Sequence, residues 1–355
     1  MKAKVPMTKT KKRGVASVVT LVFVAIIFVI MRQLIISGVI DAYYSGIINL
    51  ACINIIAAVS LNMVTGMLGQ LVLGHAGFML VGAYTAALFT LKMKELNWNL
   101  NQSLPIALVL GGLLAAVFGL IIGIPALRLR GDYLAIITLG FGEIIRVVAN
   151  NLSITNGAKG LSGIPSFSSR QDPAGMFNYL FLIAVITIFV SYTFGTSRHG
   201  RAVRAIREDE IAAEASGVHT TYYKLLTFMM SAFFAGIAGG LYAHYLRLID
   251  PAKFDFNRSV EILMMVVLGG MGSITGSVIS AGVLSALPEM LRGFATYRML
   301  IYSVVLILVM LFRPMGLLGR REIQVIGPFE KILKHLTKND NITKKEKTAK
   351  KGKKL

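Results

Sequence analysis

Apolar segments long enough to cross a bilayer recur along almost the whole chain. A spanning helix needs about 20 predominantly apolar residues, with a range of roughly 17–25. Runs of that order fall at 15–31, 47–64, 68–91, 104–127, 133–149, 177–194 and 224–246. A longer stretch follows at 260–291, and a last run at 298–312. Lipid offers no partner to a backbone N–H or C=O, so runs like these must fold as helices that satisfy themselves. Composition agrees: 15% of the residues are charged and 55% are hydrophobic, whereas a soluble domain carries roughly 25% charged residues. The expected fold is therefore all-α: a polytopic membrane helix bundle of about ten transmembrane helices, one of them broken or re-entrant.

Charge orders these spans across the membrane. The formal net charge is +20. Residues 1–13 hold six basic residues and no acid, and residues 331–355 hold ten lysines against Asp340 and Glu346. Positive segments stay in the cytoplasm, so both termini are expected there. Six crossings return the chain to that side at residue 195, where Arg198, Arg201, Arg204 and Arg207 begin. Arg128 and Arg130, after the fourth span, fall on the same side. For the lysine tail to end inside, 260–291 must supply two elements. The break is expected at Gly269-Gly270-Met271-Gly272-Ser273-Ile274-Thr275-Gly276, giving ten crossings, or nine with a re-entrant piece. Arg32 and Gln33 follow the first run without a small-residue cleavage pattern, so this run reads as an uncleaved span. The domains are then a basic cytoplasmic N-terminus (1–14), a transmembrane domain (15–319) and a basic cytoplasmic tail (320–355). A lysine-rich tail beside a membrane domain reads as attraction to anionic lipid, and no nucleic-acid partner is expected. The loop 150–176, rich in Gly, Ser, Asn and Pro, reads as an ordered external loop.

One polar stretch stands out between the sixth and seventh spans: RHGRAVRAIREDEIAAEASGVHTTYYK, residues 198–224. Residues 204–217 contain good helix formers and end in Gly217, a C-cap residue. Glu208, Asp209, Glu210 and Glu214 form an acidic face next to Arg207. Such a helix suits docking by a cytoplasmic partner.

Polar groups within spans are costly and therefore informative. Asn62, Gln70, His75, Glu143 and Arg146 are candidates for a translocation path, with Asn54 and Glu261 as weaker ones. Glu143 and Arg146, three apart on a helix, are placed to pair. A lone His75 on an apolar helix reads first as a packed, hydrogen-bonded residue. Gly119 and Gly123, Gly236 and Gly240, and Gly272 and Gly276 are small-xxx-small pairs that let helices approach closely. Gly269 and Gly270 join them as packing or hinge positions. Glycines at 66, 69, 74, 77 and 82 suggest a discontinuous segment lining a cavity. No metal-ligand cluster, phosphate-binding loop or catalytic constellation appears, so neither an enzyme nor a cofactor is expected in this chain. Cys52 is the single cysteine, which rules out an intrachain disulfide.

Several segments resemble the LivM-type permeases of high-affinity branched-chain amino acid ABC transporters. They are LNMVTGMLGQLVLGHAGFMLVGAYTAAL (61–88), LRLRGDYLAIITLGFGEIIRVVANN (127–151), TNGAKGLSGIP (155–165), VVLGGMGSITGSVISAG (266–282) and FRPMGLLG (312–319). The resemblance spans roughly residues 45–320, and it makes 198–224 the coupling segment of an importer permease. Glu214-Ala215-Ser216-Gly217 keeps the glutamate and glycine of the importer consensus without its spacing. What the resemblance implies is an assembly in the prokaryotic cell membrane. Its other members are a second related permease chain, two cytoplasmic ATP-binding subunits that use the ATP, and an extracytoplasmic substrate-binding protein. The substrate implied is a branched-chain amino acid. The alternatives are the same machine carrying urea or short amides, or an ion-coupled secondary transporter that depends on intramembrane carboxylates.

Overall fold

The computed structural model describes residues 9–127, 129, 131–167 and 174–291, with scattered positions between 297 and 319. The chain divides into two units, residues 1–33 with 323–355, and residues 34–322. The first unit holds most of α1 (Lys9–Ile36), which contains the expected first run. The second holds every other element. The expected tail 320–355, most of the last run 298–312, and Arg128 and Arg130 lie outside the described residues.

The second unit is built from α2 (Ala42–Asn62), α3 (His75–Glu95), α4 (Leu100–Ala126), α5 (Asp132–Asn151), α6 (Gly175–Thr196), α7 (Arg198–Glu208), α8 (Glu210–Ala215), α9 (Thr220–Leu246), α10 (Phe256–Gly269) and α11 (Ile274–Met290). Among the described residues, five helices are long and apolar enough to cross a membrane: α2 with its extension to Leu68, α3, α4, α6 and α9. On α4, Ile106, Val109, Leu113, Val117, Ile121 and Ile124 are all exposed. They recur every three or four residues, forming one apolar stripe of the kind that faces lipid or a partner helix. The protein is a multi-pass membrane protein.

α3, α4 and α9 pack as one group, and α2 packs against α6, α9, α10 and α11. The first group closes through small residues. A Cβ on Gly239 would lie 1.8 Å from the Met79 carbonyl oxygen, and one on Gly82 would lie 2.1 Å from that of Gly236. The α3 and α9 backbones are therefore in direct contact, which no side chain at these positions would allow.

Two readings differ from expectation. The second and third runs, read as 47–64 and 68–91, become one helix to residue 68 and another from residue 75. α2 continues as a π-helical turn over Met63–Leu68 and ends at Gly69, whose φ is +77°. The hydropathy hardly falls between the two runs, so composition alone sets their boundary several residues early. The polar helix expected over 204–217 is two helices, α7 and α8. The long stretch 260–291 is broken as expected, with residues 270–273 between α10 and α11. The all-α expectation needs one small amendment. Leu161–Ser162 (β1) in the 150–176 loop pairs antiparallel with Leu248–Ile249 (β2), in the register Leu161↔Ile249 and Ser162↔Leu248. Gly160, at φ +71°, permits the approach, because a Cβ there would sit 2.1 Å from the Ile249 carbonyl oxygen.

Candidate functional site

The α7–α8 pair is shaped by its caps. Ser197 accepts from the Gly200 amide and starts α7. Asp209 accepts from the amides of Ile211 and Ala212 and starts α8. An N-cap residue needs extended backbone, and Asp209 at φ −156° ends α7 for that reason. α8 closes with a Schellman motif: Gly217 N donates to the Glu214 carbonyl and Val218 N to that of Ala213. Gly217 takes φ +83°, the left-handed position that glycine suits.

These caps redistribute the expected acidic face. Asp209 is occupied as a cap. Glu210 Oε1 accepts from Lys224 Nζ at 2.6 Å, and the Lys224 side chain is only 3% exposed. The pair straps α8 to the first turn of α9. Glu208 and Glu214 are exposed, together with Ile211. The outward surface is thus two carboxylates around an apolar residue.

Arg207 points the other way, into the bundle. The chain leaves the helix at Gly69, so carbonyls of the π-turn lose their intrahelical donors. One of them, Gly66 O, accepts from Arg207 Nη1. The arginine stem lies against Gly69, where a Cβ would be 2.7 Å from Arg207 Cγ, and Nη1 lies where a Cβ on Gly272 would reach 2.9 Å. Asn62, fully buried, accepts from Gly272 N through Oδ1 at 2.9 Å. Its Nδ2 has no hydrogen-bond partner among the described residues. Gly66 must be glycine here, since a Cβ would meet Asn62 Oδ1 at 1.8 Å. The chain beyond the last run arrives at the same place: Leu317 N donates to Leu268 O at 2.7 Å. The end of α2, the α10–α11 break, α7 and residues 316, 317 and 319 therefore meet at one junction.

The remaining candidates lie elsewhere. His75 begins α3, is buried, and its Nε2 lies 2.9 Å from Ser60 Oγ. Ser60 Oγ also lies 2.7 Å from the Ala57 carbonyl oxygen. Gln70 is half-buried within the 69–74 break, and its Oε1 has no hydrogen-bond partner among the described residues. Arg146 pairs with Glu143 at 2.7 Å, and Glu143 borders a small crevice shared with Leu73, Gly142, Phe254, Asp255 and Ser259. Thr138 Oγ1 accepts from Leu73 N, and Ser259 Oγ accepts from Ala76 N. Asn54 is bridged to Glu261 through Arg258, which donates to both at 2.6 and 2.9 Å. Gly119 and Gly123 face α9, at Ala232 and Leu225, while Gly236 and Gly240 face α4, at Ala115 and Leu108. Gly269 and Gly276 approach each other across the α10–α11 break, and Gly270 faces Gly319. Lys224, Arg258, Ser60 and Thr138 were not singled out from the sequence. Only Arg258 carried a signal, its spacing of three from Glu261. Among the described residues, no group of three or more His, Cys, Asp or Glu side chains is placed to hold a metal ion.

Comparison with known proteins covers most of this architecture. The family described as branched-chain amino acid transport system / permease component matches residues 43–312. The chain belongs to this permease family. Among curated members, the high-affinity branched-chain amino acid transport system permease protein LivM of Salmonella typhimurium is 39% identical over 269 residues. LivM of Escherichia coli K12 matches to the same extent. Each alignment covers 68% of this chain and 62% of the relative, so the chain spans less than two thirds of those proteins' length. The permease protein LivH of Salmonella typhimurium is 32% identical over 163 residues, 45% of this chain and 51% of that protein. No solved structure matches the chain.

Proposed function

We propose that this chain is the membrane permease subunit of an ATP-driven importer of branched-chain amino acids. The observation that carries the reading is the family match from residue 43 to 312, with the α7–α8 pair set between two spanning helices inside it. The names of the LivM and LivH relatives favour leucine, isoleucine and valine over urea or short amides as cargo. In this reading the chain carries no ATPase site of its own. Two ATP-binding subunits grip Glu208, Ile211 and Glu214 on the outer face of α7–α8. A second permease chain of the LivH kind completes the pathway, and an extracytoplasmic binding protein delivers substrate.

The reading includes ten crossings with both termini in the cytoplasm. Contacts between loops support it. Strand pairing brings the segment after α5 to the segment after α9, and both belong outside in this scheme. α7 rests on the π-turn that ends α2, and both belong inside. Tyr43 donates to Glu289, and Asn62 accepts from Gly272. α11 therefore runs antiparallel to α2 with its break at the inner end. α10, with 14 residues, is about 21 Å long at 1.5 Å per residue, short of the roughly 30 Å hydrocarbon core. It is the broken member of the set.

The test is uptake of labelled leucine and labelled urea in a strain lacking this chain, then complemented with it. Leucine uptake is expected to vanish and return, with urea uptake unchanged. Leucine uptake that ignores the deletion would refute the proposal. Thiol accessibility from the two sides of the membrane, with single cysteines at Glu214 and Ser162, tests the orientation; labelling of both from one side would refute it.

A further inference from the structure

Two interrupted helices meet at one point, and a single side chain from the α7–α8 pair occupies it. The interruptions are backbone hinges by their geometry. Gly69, Gly270 and Gly272 take φ of +77°, +105° and +94°, and such element ends absorb large dihedral changes during conformational switching. Arg207, in the last turn of α7, donates to Gly66 O on one break and lies against Gly272 on the other. Asn62 ties the two breaks to each other. Behind Arg207, Asp209 caps α8 directly onto α7, and Lys224–Glu210 straps α8 to α9. A push on the exposed face of α8 thus has two routes into the bundle: through Lys224 into a continuous helix, and through Arg207 into both hinges.

We propose that Arg207 is a positioning residue for transport. Its guanidinium pins the π-turn of α2 and the α10–α11 break to α7, so that movement of the α7–α8 pair reaches both breaks together. Arginine suits this joint. Its planar fork presents five donors at fixed angles, and its charge persists at any working pH. A helix-end carbonyl without an intrahelical donor is the acceptor such a donor can exchange as the helix shifts. This inference rests on the importer reading above, and it shifts Arg207 from the surface that a partner would grip to the joint beneath it.

The test uses the complete transporter in lipid vesicles. Met271 lies in the α10–α11 break and is 44% exposed, while Cys52, the single native cysteine, is buried. Met271→Cys therefore gives this chain one reactive thiol for a water-soluble maleimide, and labelling is read on this chain after its separation from the other subunits. With Arg207 intact, the labelling rate is expected to differ between ATP-bound and nucleotide-free complexes. With Arg207→Ala, that difference is expected to disappear, and leucine carried per ATP hydrolysed to fall by roughly 5-fold or more, the lower end of coupling between distant sites. Arg207→Lys keeps the charge and hydrogen-bond donors but loses the planar fork, and is expected to fall between the two. Unchanged nucleotide dependence of labelling and unchanged leucine per ATP in Arg207→Ala would overturn the proposal. So would labelling that ignores nucleotide when Arg207 is intact. If Arg207→Ala fails to assemble, Arg207→Lys decides alone, and behaviour identical to the parent would overturn the proposal. A parent complex that hydrolyses ATP but carries no leucine would instead defeat the substrate reading, and the labelling contrast would still judge the joint.

Discussion

Removing the Glu210 carboxylate should destabilise the protein through a residue fourteen positions away. Lys224 Nζ is buried in the first turn of α9 and donates to Glu210 Oε1 at 2.6 Å. At an effective dielectric constant of about 20, that separation corresponds to roughly 6 kcal/mol of attraction. Most of it offsets the desolvation of the ammonium group. What Glu210→Gln exposes is the part that was offset: a buried charge facing a neutral amide. Breaking a buried pair by removing one partner costs about 3–5 kcal/mol. Glu210 is 24% exposed, so water screens its side of the pair, and about 2–3 kcal/mol is the expectation here. At roughly 2 °C per kcal/mol for a chain of this size, the melting temperature should drop by about 5 °C. Lys224→Met, close in shape and apolar, removes the buried charge and should cost less. The double variant should therefore recover most of the Glu210→Gln loss, with a coupling of at least about 1.5 kcal/mol across the cycle. Thermal unfolding of the four purified proteins in one detergent measures this. Additive losses, or a Glu210→Gln loss below about 0.5 kcal/mol, would refute the argument that the pair straps α8 to α9.

Two further outcomes test the packing. Gly239→Ala should abolish accumulation of folded protein, because its Cβ would meet the Met79 carbonyl oxygen at 1.8 Å, whereas Gly282→Ala, with nothing within 4 Å of its Cβ, should be neutral or stabilising by up to about 1 kcal/mol. Size-exclusion profiles of tagged variants separate the two, and equal profiles would count against the α3–α9 contact. Thr138→Val should destabilise by about 1–3 kcal/mol, since Leu73 N loses its acceptor in the break before α3; an unchanged melting temperature would mean that this amide finds another partner.

Local signals carried much of the architecture. Apolar length located α4, α6 and α9 to within a few residues, because hydrophobic runs and helices end for the same reason, the arrival of polar residues at the interface. The glycine cluster at 269–276 marked the α10–α11 break, because left-handed backbone favours glycine wherever it occurs. The Glu143–Arg146 pair was legible from its spacing of three. The 69–74 break was only half legible: glycines flagged it, but a π-turn leaves no compositional trace. Asp209 shows why the single helix over 204–217 failed. Aspartate is a strong N-cap and a poor helix-interior residue, so the break carried a local signal that the surrounding run of helix formers outweighed.

By itself, then, the sequence determined the solvent, the approximate spans, the polar segment between the sixth and seventh runs, and the family. These depend on composition and on neighbours a few residues apart. Only the tertiary structure decided what that polar segment touches. Glu210 meets Lys224, Arg207 meets Gly66 and Gly272, and Asn62 meets the α10–α11 break, over separations of 14 to 210 positions. A charge on a helix can face a partner, a neighbouring helix or lipid at the same local propensity. Which one it faces depends on the orientation of whole helices, and that is set by backbone contacts such as Gly239 on Met79, which no single segment encodes.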